Sequence, residues 1–191
     1  MAKRTSAADA MTMSRLGLLV VAVMLALGAP VPAQQATPAL PDTPPALTRL
    51  MSELYAATQA NDQAKARALI RALALPRHEA WFGRTFGEPA AAKLSAEYAA
   101  VLARFDTDAS GAFANVVQKG QSEVQVLRFE RAGDPRAVGN QNDALAAMKS
   151  PQPLYSVRFV KPGERLGLHL YSFVHADGSF RYVGRMTAAK P

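Results

Sequence analysis

The three histidines are the side chains best suited to chemistry, because an imidazole can act as a general base or bind a metal. His169 and His175 are six residues apart in one predicted strand, a separation of about 20 Å at roughly 3.3 Å per residue. They are therefore not expected to share a metal ion, and His78 is distant from both in sequence. His169 could act as a general base in a cavity with Tyr155 and Tyr171, but the spacing places no carboxylate beside it.

A calcium loop is a second candidate, since Asp106, Asp108, Ser110 and Gly111 spell the beginning of an EF-hand motif. The motif fails at its twelfth position, where Val117 stands in place of the bidentate glutamate. The favoured interpretation is a break in a helix, with Asp108 or Ser110 capping the next turn.

Other familiar catalytic patterns are missing from the sequence. The chain contains no cysteine, which excludes disulfides, thiolate catalysis and cysteine-bound zinc or iron–sulfur centres. It also lacks the glycine-rich nucleotide loops, the GxSxG hydrolase motif and the HExxH zinc motif. We therefore predict no catalytic residue, no metal and no cofactor, and an enzyme is the less favoured class of protein.

The N-terminal sequence predicts export. Residues Leu16–Leu27 carry no charge, and this run matches the apolar core of a signal peptide but is too short to span about 30 Å of hydrocarbon. Arg15 precedes the run, and Val31 and Ala33 occupy the two small-residue positions of a cleavage site. We expect residues 1–33 to be removed and the mature protein to be periplasmic.

Two alternatives concern this end of the chain. A retained membrane anchor would need about twenty apolar residues, but Pro30 and Pro32 end the apolar run early. Translation could also begin at Met11 or Met13 instead of Met1, because a start at Met13 gives a compact leader.

The remaining sequence predicts a tether followed by one domain. Residues 34–45 contain four prolines and are expected to form an extended, poorly ordered tether. Residues 46–191 form the domain, because 49% of the chain is hydrophobic and 19% is charged, a composition that is too apolar for an intrinsically disordered protein.

The net charge of the chain is +7. A basic protein associates loosely with anionic surfaces such as phospholipid headgroups, whereas nucleic acid is not an expected partner outside the cytoplasm. Several arginines fall on or beside predicted strands, where they form either a solvated sheet face or an anion-binding surface. These residues are Arg128, Arg158, Arg165, Arg181 and Arg185.

Apolar residues at helical spacing predict that the first half of the domain is helical. The predicted helices run from about Ala46 to Gln59, from a cap at Asn61 or Asp62 to before Pro76, over His78–Phe86, and from Pro89 to Gly120 with a break at Thr107–Gly111. The second half is rich in branched and aromatic residues and predicts strands with one short helix between them. The strands are predicted over Glu123–Glu130 and Leu154–Lys161, and the short helix over Asn142–Lys149.

A hairpin is the clearest local signal, because Asp177 and Gly178 suit a type I′ turn between Arg165–His175 and Phe180–Met186. The turn predicts an aromatic ladder on one face of the sheet. Its pairs are His175 with Phe180, Phe173 with Tyr182, and Tyr171 with Gly184, while Leu166, Leu168, Leu170 and Val174 take the opposite face. The sequence thus predicts an α+β fold with N-terminal helices on a curved, mostly antiparallel sheet of about four strands, with a cone-like shape.

Two stretches resemble known families. The ending YSFVHADGSFRYVGRM is similar to the last hairpin of nuclear transport factor two-like and cystatin-like domains, including the SnoaL-type group. That resemblance implies a curved sheet around a long helix with a pocket between them. The stretch WFGRTFGEPAAAKLSAEYAAVLARF is similar to the periplasmic toluene-tolerance family of phospholipid shuttles. No catalytic residue carries over, since no aspartate here matches the pocket Asp of the SnoaL-type enzymes.

We predict from these observations an exported periplasmic binding or interaction module with a pocket between helix and sheet. The partner would be a small hydrophobic or anionic ligand or an envelope protein, with loose association with the membrane surface. A carrier of lipid or another hydrophobic ligand and a SnoaL-like small-molecule enzyme are the alternatives. The predicted ligand-binding residues are Tyr98, Tyr155, His169, Tyr171, Phe173 and Tyr182.

Overall fold

A computed structural model describes residues 39–138 and 140–189 of the protein. These residues form an α+β fold with an antiparallel four-stranded sheet, as predicted. The predicted signal peptide and residues 34–38 of the predicted tether lie outside the described residues. The helices are α1 (Pro44–Gln59), α2 (Gln63–Ala72), α3 (His78–Phe86), α4 (Ala90–Leu102), α5 (Phe105–Gln118) and α6 (Gln141–Ala147). The strands are β1 (Glu123–Phe129), β2 (Leu154–Val160), β3 (Gly167–Ala176) and β4 (Ser179–Tyr182), and they lie in that order in the sheet.

Local signals in the sequence set several helix ends. The Asp62 side chain caps α2 by accepting a hydrogen bond of 3.0 Å from the Lys65 N–H, which satisfies one of the free N–H groups of the first turn. Helix α3 begins and ends at the predicted residues, and Gly87 follows it. None of the helices in the described part of the chain is long and apolar enough to cross a bilayer.

The boundary between α4 and α5 differs from the prediction. The helical run breaks at Ala103 and Arg104, and the predicted break at Thr107–Gly111 was wrong. Asp106 and Asp108 lie in the first turn of α5, where carboxylates are favoured by the positive end of the helix dipole. The candidate calcium motif is therefore helical, and the described residues contain no group of three His, Asp or Glu side chains that could hold a metal.

Hydrophobic residues cover both faces of the sheet. On one face, Val157 and Phe159 pack in a cluster with α1, α2 and α5. On the other face, Leu154 and Val174 pack in a second cluster with α3, α4 and α6. Neighbouring residues of one strand point to opposite faces, so the sheet separates two helical layers.

The structure confirms the predicted hairpin turn. Phe173 pairs with Tyr182, and His175 pairs with Phe180. Asp177 has φ of 50° and Gly178 has φ of 71°, and a type I′ turn requires positive φ at both central residues.

A β-bulge at Ser172 changes which side chains of β3 lie on the same face of the sheet. Tyr155 pairs with Phe173, whereas Val157 pairs with Leu170, so β3 has one extra residue at this point. Ser172 has φ of 54°. The bulge moves Tyr171 off the predicted aromatic ladder and places Leu170 on the face of Phe173, so the predicted positions of these two side chains were wrong. Leu168 also joins the Phe173 face, so its predicted position was wrong as well, while Leu166 is 83% exposed.

The end of the predicted tether is part of the folded domain. Pro44 and Pro45 form the first turn of α1, a position that needs no N–H donor and suits the fixed φ of proline. The Leu40 N–H donates a hydrogen bond of 2.8 Å to the Gly178 carbonyl. Asp42 accepts one of 2.7 Å from the Tyr155 hydroxyl. The predicted tether therefore extended too far along the chain, because these contacts come from residues distant in sequence.

Candidate functional site

An apolar cavity of about 370 Å³ lies between α5 and the β3–β4 hairpin. Side chains from α4 and from the end of α2 complete its wall. Most of the wall is aromatic or aliphatic, so a bound molecule would lose part of its water shell. The lining includes Phe105, Ala109, Phe113, Leu170, Phe173 and Tyr182.

The cavity exists because β4 is shorter than β3. Strand β4 pairs with β3 only from Phe173 to Ala176, so the first part of β3 has no fourth-strand neighbour in the described sheet. The Val183 N–H still donates to the Ser172 carbonyl at 2.9 Å. The chain then leaves the sheet at Gly184, which has φ of 74°, a conformation that glycine adopts easily. This departure leaves the space beside α5 unfilled.

Tyr182 connects the two sides of the cavity. Its ring stacks on Phe105 at a centroid distance of 5.7 Å and meets Phe173 edge to face at 5.2 Å. Burial raises the pKa of Tyr182, so its hydroxyl is a neutral donor across the physiological range. No hydrogen bond joins this hydroxyl to another described residue.

Charged residues lie at the rim of the cavity and largely balance one another. Arg104 and Asp108 form an ion pair at 3.7 Å. Glu97 accepts a hydrogen bond of 2.9 Å from the Thr187 N–H. The Arg185 guanidinium lies 5.1 Å from the centre of the Tyr171 ring. The rim thus offers polar contacts without a strong excess of either charge.

The six predicted ligand-binding residues fall into three places. Phe173 and Tyr182 line the cavity. His169 and Tyr171 stack at 4.3 Å on the opposite face of the sheet. The other two, Tyr98 and Tyr155, are fully buried and lie in the two hydrophobic clusters.

Tyr155 has a structural partner. Its hydroxyl donates to Asp42, and the Arg128 guanidinium lies 5.6 Å from the centre of its ring. Burial and the Asp42 carboxylate raise the pKa of Tyr155. This side chain joins the start of the domain to the centre of the sheet.

Tyr98 also has a structural partner. Its hydroxyl accepts a hydrogen bond of 2.7 Å from the buried N–H of Leu75. Its ring packs edge to face against His78 at 5.2 Å and Phe82 at 5.8 Å. Burial raises the pKa of Tyr98 from 10.0 to about 12, since the folded state favours the neutral hydroxyl.

Replacing Tyr98 by phenylalanine should lower the free energy of unfolding by about 1–2 kcal/mol, because the buried Leu75 N–H loses its acceptor. The raised pKa stabilises the wild-type fold below pH 10, and this stabilisation is lost as the pH rises from 10 through about 12. Urea unfolding at pH 7 and at pH 11 should therefore show a smaller difference between variant and wild type at pH 11. A difference that is independent of pH would contradict this assignment.

Several cavity residues were not among the predicted site residues. Phe105 and Phe113 occur eight positions apart in the sequence and satisfy helical spacing, but this spacing identified them as helix packing residues. Leu170 was predicted to lie on the opposite face. No glycine or proline stands next to Ser172 in the sequence, so nothing there indicated the bulge. Hydrophobic periodicity identifies these residues as apolar packing residues. They line a cavity because the first part of β3 has no neighbouring strand on that side in the described sheet.

Comparison with protein-family models, with curated proteins and with solved structures finds no match to this chain.

Proposed function

We propose that this chain is an exported binding protein that holds a small apolar ligand between α5 and the β3–β4 hairpin. The observation that carries the proposal is the cavity of about 370 Å³. Its volume lies within the range of about 300–1,000 Å³ that is typical of small-molecule sites. The proposal of export to the periplasm is supported by the sequence of residues 16–33.

The wall of the cavity favours a ligand with an apolar body and one hydrogen-bond acceptor. The half-buried side chains of Val101, Leu170 and Tyr182 offer apolar surface to a ring or an alkyl chain. The Tyr182 hydroxyl can donate to a carbonyl, ether or hydroxyl oxygen of the ligand. A phospholipid with two chains exceeds this volume, so the alternative of a lipid carrier requires a smaller, single-chain cargo.

The SnoaL-like enzyme is the third proposal. It would need an acid–base pair directed at the ligand. The rim carboxylates are Glu97 and Asp108, and they bind the Thr187 N–H and the Arg104 guanidinium. These contacts favour a role in shaping the rim, and for this reason we place binding above catalysis.

Filling the cavity should weaken ligand binding. We expect Ala109→Trp to weaken binding of the uncharged fluorescent probe N-phenyl-1-naphthylamine at least about tenfold, because the indole would occupy the ligand's space. Ala109 lines the cavity from α5. The measurement is a fluorescence titration of protein purified from the periplasm after expression of the full chain.

The matched control is Ala100→Trp, since Ala100 is an exposed residue of α4 that does not line the cavity. This variant should bind the probe as the wild type does, and both variants should keep a cooperative thermal transition. Equal binding by Ala109→Trp and the wild type would overturn the proposed site. Mass spectrometry of the same preparation distinguishes the alternatives, because a co-purifying single-chain lipid would favour a lipid carrier.

A further inference from the structure

We call Arg158, His169, Tyr171 and Arg185 the cationic row. The first three lie on the face of the sheet opposite the cavity, and Arg185 reaches Tyr171 from the chain that follows β4. Arg158 of β2 pairs with His169 of β3, and such cross-strand neighbours have Cβ atoms about 5 Å apart. His169 stacks on Tyr171 at 4.3 Å, and the Arg185 guanidinium lies 5.1 Å from the centre of the Tyr171 ring. Two guanidinium groups therefore flank a pair of stacked rings.

The bulge at Ser172 separates this row from the apolar side chains of β3. Without it, strict alternation would still place Tyr171 on the face of His169, but Phe173 would join them and Leu170 would lie opposite. With it, Tyr171 lies beside His169 while Phe173 and Leu170 both face the cavity. Bulges often occur beside functional sites, where they redirect a side chain. Here the bulge separates an apolar face from a cationic one.

The two arginines of the row differ from others on the sheet. Arg128 binds Asp42 and Glu130, and Arg181 donates to the carbonyl of Ala72. In contrast, Arg158 and Arg185 form no ion pair or hydrogen bond with any residue in 39–138 or 140–189. A guanidinium stacked on a ring uses its flat face, so the N–H donors at its edge remain available.

The row is also accessible to a ligand. The second hydrophobic cluster covers this face at Phe129, Leu154 and Val174. Arg158, His169 and Tyr171 lie further along the same strands and are half-buried, and Arg185 is exposed. Partial burial strengthens the interaction of these groups with an anion, because the surrounding dielectric is lower than that of bulk water.

His169 is suited to respond to an anion. Burial and the neighbouring Arg158 lower the pKa of His169, so its ring is largely neutral at pH 7. The charged groups of the row that face it are Arg158 from β2 and, across Tyr171, Arg185. A bound anion would offset their charge and raise the pKa of His169 towards or above its ordinary value.

We propose that the cationic row binds a phosphate group, carried by a soluble phosphate compound or by a lipid headgroup. The Arg158 guanidinium fork and the His169 imidazole N–H supply donors that match the oxygens of a phosphate, and the Arg185 guanidinium, beyond the Tyr171 ring, adds positive charge to the site. The site differs from the proposed apolar cavity, although Arg185 also lies at the cavity rim. Arg158 does not line the cavity, and variants at Arg158 therefore test the phosphate site separately.

The test is a titration of the full mature protein with inorganic phosphate, followed by the NMR signals and the pKa of the His169 ring. We expect saturable shifts and a raised pKa of His169. Arg158→Gln should weaken phosphate binding about tenfold, since it removes a charge-assisted contact, without changing binding of N-phenyl-1-naphthylamine. The control Arg49→Gln, on the exposed side of α1, should bind phosphate as the wild type does.

Two further arms identify the source of the phosphate. Sedimentation with phosphatidylglycerol-containing vesicles that is lost in Arg158→Gln would support the site and assign it to lipid headgroups. Binding of glycerol phosphate without sedimentation would support the site and assign it to soluble compounds. Absence of saturable phosphate binding, or equal loss of binding in Arg158→Gln and Arg49→Gln, would overturn the proposal.

Discussion

Replacing Phe159 by alanine should lower the free energy of unfolding by about 3–5 kcal/mol. Phe159 is fully buried near the end of β2. Its ring meets Phe113 of α5 edge to face at 5.4 Å and stacks with Tyr55 of α1 at 6.5 Å. Truncation to alanine would remove the ring contacts of the sheet with α5 and with α1, and it would leave a cavity between the sheet and these helices.

Because a domain of this size is stabilised by about 5–15 kcal/mol, the variant should lose a large fraction of its stability. Urea denaturation followed by circular dichroism measures this change. Phe159→Leu should give a smaller loss and keep the result measurable if the alanine variant does not fold. The control Leu166→Ala, at a residue that is 83% exposed, should change stability by less than about 0.5 kcal/mol. A loss below about 1 kcal/mol at Phe159 would contradict the described packing.

This substitution also bears on the proposed cavity. Phe113 lines the cavity on one side and contacts Phe159 on the other. The position of the cavity wall therefore depends on the core packing beneath it. We expect folded Phe159→Leu to bind N-phenyl-1-naphthylamine more weakly than the wild type does, since Phe113 would be less firmly held.

The sequence predicted those parts of the fold that are determined by neighbouring residues. The cap at Asp62, the limits of α3 and the turn at Asp177 and Gly178 each depend on a few consecutive side chains. Strand alternation likewise predicted β1 and β2 almost to the residue. Local geometry decides such features, and these predictions were confirmed.

Predictions failed where distant contacts decide the structure. Gly111 suggested a helix break, but it lies inside α5 with open space around it. Asp106 forms an ion pair with Arg71 of α2 at 2.8 Å, a contact that the sequence does not show. Similarly, the His175 ring bonds to the Leu40 carbonyl at 2.7 Å and brings a proline-rich segment into the domain.

Only the part of the candidate site that depends on local sequence was predicted, since the rest depends on contacts between distant residues. Phe173 and Tyr182 followed from the hairpin register, which the turn sets locally. Their cavity depends on the length of β4 and on the path of the chain after Gly184. The cationic row depends on the pairing of Arg158 with His169 across two strands. Sequence patterns identified these residue types but not which of them lie together.

The second large effect is expected at the hairpin turn, because this turn connects β3 to β4 and also binds the start of the domain. Gly178 has φ of 71°, which is strained for any residue with a Cβ atom and most of all for a β-branched one. A Cβ atom at this position would lie 3.2 Å from the Ala39 Cβ. The Gly178 carbonyl also accepts the hydrogen bond from Leu40.

Gly178→Val should therefore lower the free energy of unfolding by about 2–3 kcal/mol, through strain at the turn and displacement of residues 39 and 40. Asp177→Asn is the matched control, because asparagine accepts positive φ readily and the ion pair with Arg77, at 3.5 Å, is exposed. This control should stay within about 0.5 kcal/mol of the wild type. Urea unfolding measures both values, and limited proteolysis should cut Gly178→Val first near Leu40, since loss of its hydrogen bond frees that segment. Equal stability of the two variants would mean that Gly178 does not hold the type I′ turn, and the register that places Phe173 beside Tyr182 would have to be abandoned.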